Sequence, residues 1–410
     1  MRRLRSFIGA KTLRRPALAA ALLLLVTGFQ GSVASRGKTP LALERESPAR
    51  TAEWEHRFET VIMPHYRTLG RVGSFQAQGF QPDEATPKRR IHYRVFERTR
   101  YSLAQAERGA IVIAPDRGEL ELQYAELIHD LTEEGYSVYI LDHRGGGFSE
   151  RLLRNPGIAH VDRFLDYSAD FRQFIDEVVR PEMHRDLFLL CHSMGCAVAA
   201  PFMAANPRLF RAAAMTAPMF DLKLTGAERV ASLISGLGLL PEGYQTRLAP
   251  GGAPYDEEAA FERNSRTGSW MRYRKSRELL ADSEQMLSRA LRTRVRIGQG
   301  GVSYRWLSEA RAAMRDLELT EPWQTPTLIV QAGRDEHVSA EAQFQVCEKL
   351  SEAPGGYCRI LKAEDSLHDV LMERDAIRSS ALGEIGAFFA SRLSQPRPAA
   401  ATQLVKPLGS

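Results

Sequence analysis

The residue best suited to nucleophilic chemistry is Ser193, which lies in the stretch FLLCHSMGCAVAA from Phe188 to Ala200. An apolar run that predicts a buried strand precedes it, and an alanine-rich run that predicts a helix follows it. A strand that passes into a helix through one residue exposes that side chain above the edge of the sheet. Such a turn needs small neighbours, and Cys191 and Gly195 occupy these positions. The pattern therefore predicts a nucleophilic serine at a strand-to-helix elbow.

A serine hydroxyl is a poor nucleophile at neutral pH and needs a base that is itself oriented by an acid. Asp335 in QAGRDEHVS and His368 in EDSLHDVLMERD each follow a predicted strand. Serine, acid and histidine in this chain order, each at a strand end, indicate a catalytic triad. Three other acids are alternatives, namely Glu336, Asp365 and Asp369. Asp335 is favoured because it lies at the turn directly after its strand.

The negative charge that develops on a substrate carbonyl oxygen needs two backbone N–H donors. The first predicted donor is the amide of Met194, the residue after the serine. The second is the amide of Arg117, in the loop APDRGELELQYAEL after an earlier predicted strand. Asp116 in the same loop is unfavourable, because a carboxylate near the forming oxyanion raises its energy. We therefore expect the Asp116 side chain to turn away from this position, toward an arginine.

The elements that must position these residues alternate apolar runs with helical patterns. The predicted strands are RIHYRVF, GAIVIAP, YSVYILD, LFLLC, RAAAMTA, TPTLIVQAG and YCRILKA. This alternation predicts an α/β protein with a mostly parallel sheet and crossover helices, formed by residues 89–220 and 323–394. Residues 221–322 contain no strand-like run and predict a helical cap, inserted before the strand TPTLIVQAG. Residues 35–88 predict an N-terminal arm with one helical stretch, and 395–410 a proline- and alanine-rich mobile tail.

The first 34 residues resemble an export signal, with a basic start, an apolar run from Ala17 to Val26 and a possible cleavage site after Ala34. A retained anchor is the alternative. The formal net charge of the 410 residues is +5, but these first residues hold six basic side chains and no acid. The remainder is therefore close to neutral, about −1, and nucleic acid is not a predicted partner.

The four cysteines, Cys191, Cys196, Cys347 and Cys358, lack the spacing of a metal site. No metal and no cofactor are predicted, and the glycines Gly145 to Gly147 do not form a nucleotide-binding motif. In an exported protein we expect a disulfide between Cys347 and Cys358, with two reduced core cysteines as the alternative. Cys191 and Cys196 flank the elbow, and we expect them to stay reduced and buried.

From about Arg90 to Arg392 the sequence resembles the bacterial lysophospholipases related to monoacylglycerol lipases. The resemblance lies in CHSMGC, LDHRGGGFSERLL, AHVDRFLDYSADF, the cap segments RYRKSRELLAD and GGVSYRWLSEA, and LHDVLMERDAIRSSAL. It implies an α/β-hydrolase fold with a helical cap and a serine hydrolase that cleaves carboxylic esters of single-chain lipids, expected to be lysophospholipids. A monoacylglycerol or other carboxylesterase, and a catalytically silent lipid-binding protein, are the alternatives.

The predicted cap carries nine arginine or lysine residues and three acids between Asn264 and Ile297. A basic surface above an active-site mouth would attract phosphate headgroups or an anionic membrane face, so peripheral membrane contact through the cap is a further expectation. The alternative is a solvated helical face balanced by acids elsewhere in the fold.

Overall fold

The computed structural model describes residues 43–82, 86–98, 107–241, 243–256, 258–293 and 295–394. The predicted export signal and the predicted C-terminal tail lie outside these residues. Among the residues described, no helix has both the length and the apolar composition required to cross a bilayer.

The centre of the molecule is an eight-stranded sheet in the order β1-β2-β4-β3-β5-β6-β7-β8. β2 pairs antiparallel with β1 and β4, and the remaining neighbours are parallel. The predicted mostly parallel sheet is therefore confirmed. The strands are β1 Arg71–Ala77, β2 Arg89–Phe96, β3 Ala110–Ala114, β4 Ser137–Leu141, β5 Leu187–His192, β6 Ala212–Thr216, β7 Thr327–Ala332 and β8 Cys358–Ala363.

Helices flank this sheet, and others lie in residues 221–322, the segment predicted to be a cap and called the cap below. The α-helices are α1 Pro48–Arg57, α2 Met63–Leu69, α3 Ala125–Glu133, α4 Leu165–Phe174, α5 Met194–Ala205, α6 Gly226–Gly236, α7 Trp270–Leu291, α8 Tyr304–Leu319, α9 Ala340–Glu352 and α10 Asp375–Leu393. Two π-helical turns, Phe58–Ile62 and Ile175–Val179, continue α1 and α4. α6, α7 and α8 lie between β6 and β7, where the sequence predicted the cap.

The four central strands are buried at every position. Their sequences, AIVIA, SVYIL, LFLLCH and AAAMT, are mostly apolar and do not alternate with polar residues, as expected for parallel strands that are covered on both faces. This core fixes the carboxyl ends of β5, β7 and β8, the three strand ends that precede the predicted triad residues.

The N-terminal arm contributes a strand that the sequence did not predict. β1 pairs with β2 along its whole length, from Arg71 opposite Val95 to Ala77 opposite Arg89. It lies at the edge of the sheet, and six of its seven residues are exposed or only partly buried. The apolar run that marks the central strands is therefore missing, although the helical stretch predicted before it is present as α1 and α2.

The arm also holds the cap. The carboxylate of Glu46 accepts hydrogen bonds from Ser269 Oγ and from the amides of Trp270 and Met271, at the N-terminus of α7. A carboxylate there satisfies free amides and complements the helix dipole. Arg45 lies over the Trp270 ring at 4.1 Å, and Leu43 packs in a small apolar cluster with Phe261 and Leu367. Residues 43–46, which we call the strap, therefore join the cap to the loop that carries His368.

A second junction between arm, core and cap is built on the buried carboxylate of Glu126 in α3. It accepts from Trp54 Nε1 in the arm at 2.9 Å and from two nitrogens of Arg272 in α7, at 2.8 and 2.9 Å. Arg272 also bonds Asp375 at the start of α10. Because the charges are buried, removing one partner would leave the other unpaired at a large cost in free energy.

The structure contains two disulfides. The expected bond between Cys347 in α9 and Cys358 in β8 is confirmed, with the Cα atoms 5.3 Å apart. The expectation that Cys191 and Cys196 stay reduced is wrong, because they are bonded to each other with Cα atoms 5.0 Å apart. The physical reason is the sharpness of the elbow, which folds the first turn of α5 back beside the end of β5. This second disulfide encloses Ser193.

Candidate active site

Ser193 lies between the end of β5 and the start of α5 with φ 48° and ψ −117°. A non-glycine residue with a positive φ is strained by roughly 1 to 3 kcal/mol, and such residues persist where the surroundings fix them. The Ser193 amide donates to the Thr216 carbonyl, and the Ser193 carbonyl accepts from Cys196 and Met219. These bonds, together with the disulfide around the elbow, hold the serine in its strained conformation.

Gly195 allows the first turn of α5 to approach β3. A Cβ atom at this position would lie only 2.1 Å from the carbonyl oxygen of Ala114. Any side chain would therefore push the helix away from β3 and displace both the serine and the loop after β3. This close approach explains why the residue two positions after Ser193 is a glycine.

The structure brings the three predicted triad residues together. Ser193 Oγ lies 2.9 Å from His368 Nε2, and His368 Nδ1 lies 2.7 Å from Asp335 Oδ2. All three side chains are buried. A histidine that contacts a hydroxyl through one nitrogen and a carboxylate through the other can accept the hydroxyl proton while the carboxylate stabilises the resulting imidazolium.

Asp335 is itself held in place by the loop after β7. Its Oδ1 accepts hydrogen bonds from the amides of His337 and Val338, at 2.7 and 3.1 Å. Burial raises the pKa of Asp335, but the hydrogen bond to His368, the histidine's charge and these two amides outweigh burial and lower it. Asp335 is therefore ionised at neutral pH.

The alternative acids occupy different environments. Glu336 and Asp365 are exposed to solvent. Asp369 is buried but bonds Nε2 of a second histidine, His192, at 3.1 Å. The sequence ranked Asp335 first because of its place after the strand, and it is Asp335 that contacts His368.

The surroundings of the Met194 amide differ from those predicted from the sequence. The Met194 amide donates to Asp116 Oδ1 at 3.1 Å, so a carboxylate occupies the position expected for the substrate oxygen. The prediction that Asp116 turns away is wrong, although its other oxygen does meet an arginine, Arg266. The physical reason is that Arg266 balances the buried charge. The side chain of Arg117, the second predicted donor, reaches into the cap and bonds the Gly300 carbonyl at 3.1 Å.

Arg266 is a residue of this site that the sequence did not single out. It lies in the cap between α6 and α7, and its guanidinium contacts three carboxylates, those of Asp116 at 2.9 Å, Glu119 at 3.1 Å and Asp369 at 2.8 Å. In the sequence it was only one of nine basic residues of the cap. Its partners lie in loops about 100 and 150 residues away, and no local pattern joins them.

His192 extends this charged cluster beneath the serine. Its Nδ1 lies 3.0 Å from the Thr216 carbonyl, and its ring lies 4.9 Å from the ring of His368. Burial lowers the pKa of His192, but the hydrogen bond to Asp369 and the neighbouring carboxylates raise it from 6.5 to about 9. His192 is therefore a cation at neutral pH. It is bonded to Asp369 and does not contact the serine in place of His368.

Two groups of side chains at this site have metal-ligand chemistry, Asp116 with His192 and His368, and Glu119 with His192 and Asp369. Arg266 already bonds the carboxylates of both groups, and its charge opposes the binding of a second cation. A third group, His65 with His129 and Glu133, lies at the contact of α2 with α3, away from the serine.

Residues 105–375 match the hydrolase family described as serine aminopeptidase, S33. Lysophospholipase L2 of Escherichia coli strain K12 is 34% identical over 291 residues, which cover 70% of this chain and 82% of that protein. The probable lysophospholipase L2 of Haemophilus influenzae is 28% identical over 285 residues, covering 69% and 84%.

Similar solved structures indicate the same fold. A soluble variant of the monoglyceride lipase of Saccharomyces cerevisiae has a TM-score of 0.57 and 14% identity, covering 80% of this chain and 97% of that one. A carboxyl esterase of Bacillus coagulans has a TM-score of 0.55 and 16% identity, covering 80% and 99%. The predicted α/β-hydrolase fold is confirmed.

The raised pKa of His192 predicts a pH-dependent stability. Between pH 6.5 and 9 the folded protein binds this proton and the unfolded chain releases it, so the contribution of His192 is complete below pH 6.5 and is lost as the pH rises through 9. Its full size is about 3 kcal/mol. As the pH is raised from 6.5 to 9, the free energy of unfolding, measured with urea, should therefore fall less for His192→Gln than for the unmodified protein. His56→Gln, at an exposed histidine of α1, is the control. Equal losses in all three proteins would contradict the assignment.

Proposed function

The chain belongs to the serine aminopeptidase S33 family of hydrolases, and from this premise we propose that it cleaves the carboxylic ester of lysophospholipids. The observation that carries a hydrolytic mechanism is the hydrogen-bonded series from Ser193 through His368 to Asp335, at 2.9 and 2.7 Å. The similarity to lysophospholipase L2 of Escherichia coli supports the substrate class.

In the proposed reaction Ser193 Oγ attacks the ester carbonyl carbon while His368 Nε2 takes its proton. The imidazolium that forms is stabilised by Asp335, whose second oxygen remains bonded to the amides of its own loop. His368 then gives the proton to the leaving glycerol oxygen, and the acyl group stays on the serine. His368 then takes a proton from a water molecule, whose oxygen attacks the acyl carbon. The same histidine returns the proton to Ser193 Oγ as the bond to the serine breaks and the fatty acid leaves.

The charge on the carbonyl oxygen requires backbone donors, and we assign this role to the amides of Met194 and Arg117. Met194 is the first residue of α5. The partial positive charge at the N-terminus of this helix therefore adds to the stabilisation that its amide gives the oxyanion. Because Asp116 bonds this amide, the carboxylate must leave it before the oxyanion forms.

The substrate class can be tested with purified protein on matched lipids. We expect hydrolysis of a C16 lysophosphatidylethanolamine to exceed that of a C16 monoacylglycerol by at least about tenfold in kcat/KM. Ser193→Ala should keep the fold and lose all but about a thousandth of the activity, because nucleophile and base act as a unit. Fatty-acid release measures turnover, and a fluorophosphonate probe reports the reactive serine.

Ser232→Ala is the matched control, since this serine is buried in cap helix α6 and lies outside the triad. This variant should react with the fluorophosphonate probe and release fatty acid at the same rates as the unmodified protein. Equal rates on both lipids would favour a monoacylglycerol or broader carboxylesterase. A protein that neither labels nor hydrolyses would instead be the catalytically silent lipid-binding alternative.

We also propose that the cap contacts the membrane that holds the substrate. The support differs from the basic surface expected from the sequence. Arg274 and Lys275 of α7 pair with Glu55 and Glu59 of the arm, which neutralises much of that charge. The feature that favours contact is a row of exposed side chains, Val230 and Leu233 of α6 and Leu237 directly after its end, which share one helix face. Exposed apolar rows of this kind suit insertion at a lipid surface.

Replacing Leu233 by aspartate should weaken binding to vesicles of phosphatidylethanolamine and phosphatidylglycerol by at least about threefold, because it exchanges apolar burial for a charge. Flotation of the protein with vesicles measures the binding. Leu319→Asp is the control, since Leu319 is 84% exposed at the end of α8 and lies outside the row. Equal losses for both variants would contradict a specific role of α6.

We further propose that the protein is exported and processed near Ala34. The predicted signal lies outside the described residues, and the support comes from the two disulfides, which are typical of oxidising compartments. Protein purified from its native host should have the mass of a chain that begins directly after Ala34. It should show no reactive thiol when it is unfolded without reductant. The mass of a chain that begins at Met1 or Arg2 would favour the retained anchor. Four reactive thiols would contradict the oxidised state of the cysteines.

A further inference from the structure

The carboxylate of Asp116 occupies the place that the reaction needs for the substrate. Its Oδ1 accepts the Met194 amide at 3.1 Å, and this amide belongs to the residue directly after the nucleophile. An ester carbonyl that is positioned for attack by Ser193 must use the same N–H. Asp116 is only 5% exposed, so water screens its charge poorly. The side chain and a bound ester therefore compete for one donor.

Arg266 of the cap holds the other oxygen of the same carboxylate. Both terminal nitrogens of Arg266 lie 2.9 Å from Asp116 Oδ2. The backbone of Asp116 is fixed separately, because its amide donates to Glu119 Oε2 at 2.9 Å. The loop can thus remain in place while the side chain rotates. A carboxylate facing the fork of an arginine with both oxygens is a strong and common geometry, so Arg266 offers Asp116 a second stable position.

Arg266 can hold the carboxylate without leaving its own site. Its Nε donates to Asp369 Oδ2 at 2.9 Å, and its carbonyl accepts the Asp369 amide at 2.7 Å. Its side chain remains 34% exposed, so the cluster opens to solvent and to an entering substrate. Asp369 in turn is bonded to His192. The arginine is therefore anchored on the loop that also carries His368.

We propose that Asp116 is a gate that blocks the oxyanion position in the resting enzyme, and that Arg266 draws it aside when an ester binds. This inference rests on the proposed esterase function. It makes Asp116 a regulatory residue whose displacement precedes attack, and it makes Arg266 a positioning residue that acts through Asp116. No atom of either side chain enters the chemical steps.

The first test is the removal of the gate, measured on the soluble ester p-nitrophenyl butyrate. Asp116→Ala should raise kcat/KM roughly ten- to a hundredfold, in line with the strength of a hydrogen bond to a charged group. It should raise the inactivation rate by a fluorophosphonate probe in proportion. Both rates for Asp116→Asn should lie between those of the unmodified protein and those of Asp116→Ala, because the asparagine amide oxygen can still accept a hydrogen bond from the Met194 N–H. An unchanged or lower rate for Asp116→Ala would overturn the proposal.

The second test separates positioning from a purely structural role of Arg266. Arg266→Gln should lower kcat/KM in the unmodified background, because Asp116 then loses its second position. In the Asp116→Ala background the same change should have little effect. Equal losses in both backgrounds would show that Arg266 acts independently of the gate. Lys275→Gln, which removes a cap-to-arm ion pair with Glu59 at 3.0 Å, is the control and should change neither rate. Thermal unfolding of each variant verifies folding.

Failure of the gate and failure of the esterase proposal give different results. Probe labelling of Ser193 at the same rate with and without Asp116 would reject the gate and leave the esterase standing. Absence of labelling in every variant, including Asp116→Ala, would reject both.

Discussion

The contact between the first turn of α5 and the end of β3 is the constraint on which the site depends. Gly195 permits it, since a Cβ atom there would collide with the Ala114 carbonyl. The contact forces Ser193 into a positive φ and places the Met194 amide beside the loop that follows β3. The disulfide between Cys191 and Cys196 joins the two sides of the same turn. The positions of Ser193, of the Met194 amide and of the Asp116 carboxylate are therefore consequences of one packing contact.

The charged groups beneath the cap form a second level of organisation. Arg266 and His192 are cations, and the pKa values of Asp116 and Asp369 lie below their usual range because Arg266 and the nearby histidines outweigh the effect of burial. Glu119 differs, because burial raises its pKa. The two cations thus face the carboxyl groups of Asp116, Glu119 and Asp369. Cap and core are joined by charges that must stay balanced, so a movement of the cap changes the environment of the serine.

The sequence predicted those features that depend on a local pattern. Apolar runs identified the central strands, and the order of Ser193, Asp335 and His368 identified the residues that the structure brings together. What it missed depends on distant contacts. β1 gains its pairing from β2 and shows no apolar run of its own, and the position of Asp116 is set by Arg266 from 150 residues away. The disulfide at the elbow was not expected, because Cys191 and Cys196 flank a tight turn on opposite sides. The fold places their Cα atoms only 5.0 Å apart.

The strap extends the functional unit beyond the core and the cap. Glu46 closes the N-terminus of α7, and Leu43 packs beside Leu367, the residue before His368. The strap thus bridges the cap and the loop that carries His368. A substitution in the strap is therefore expected to disturb the loop that carries His368 as well as the cap.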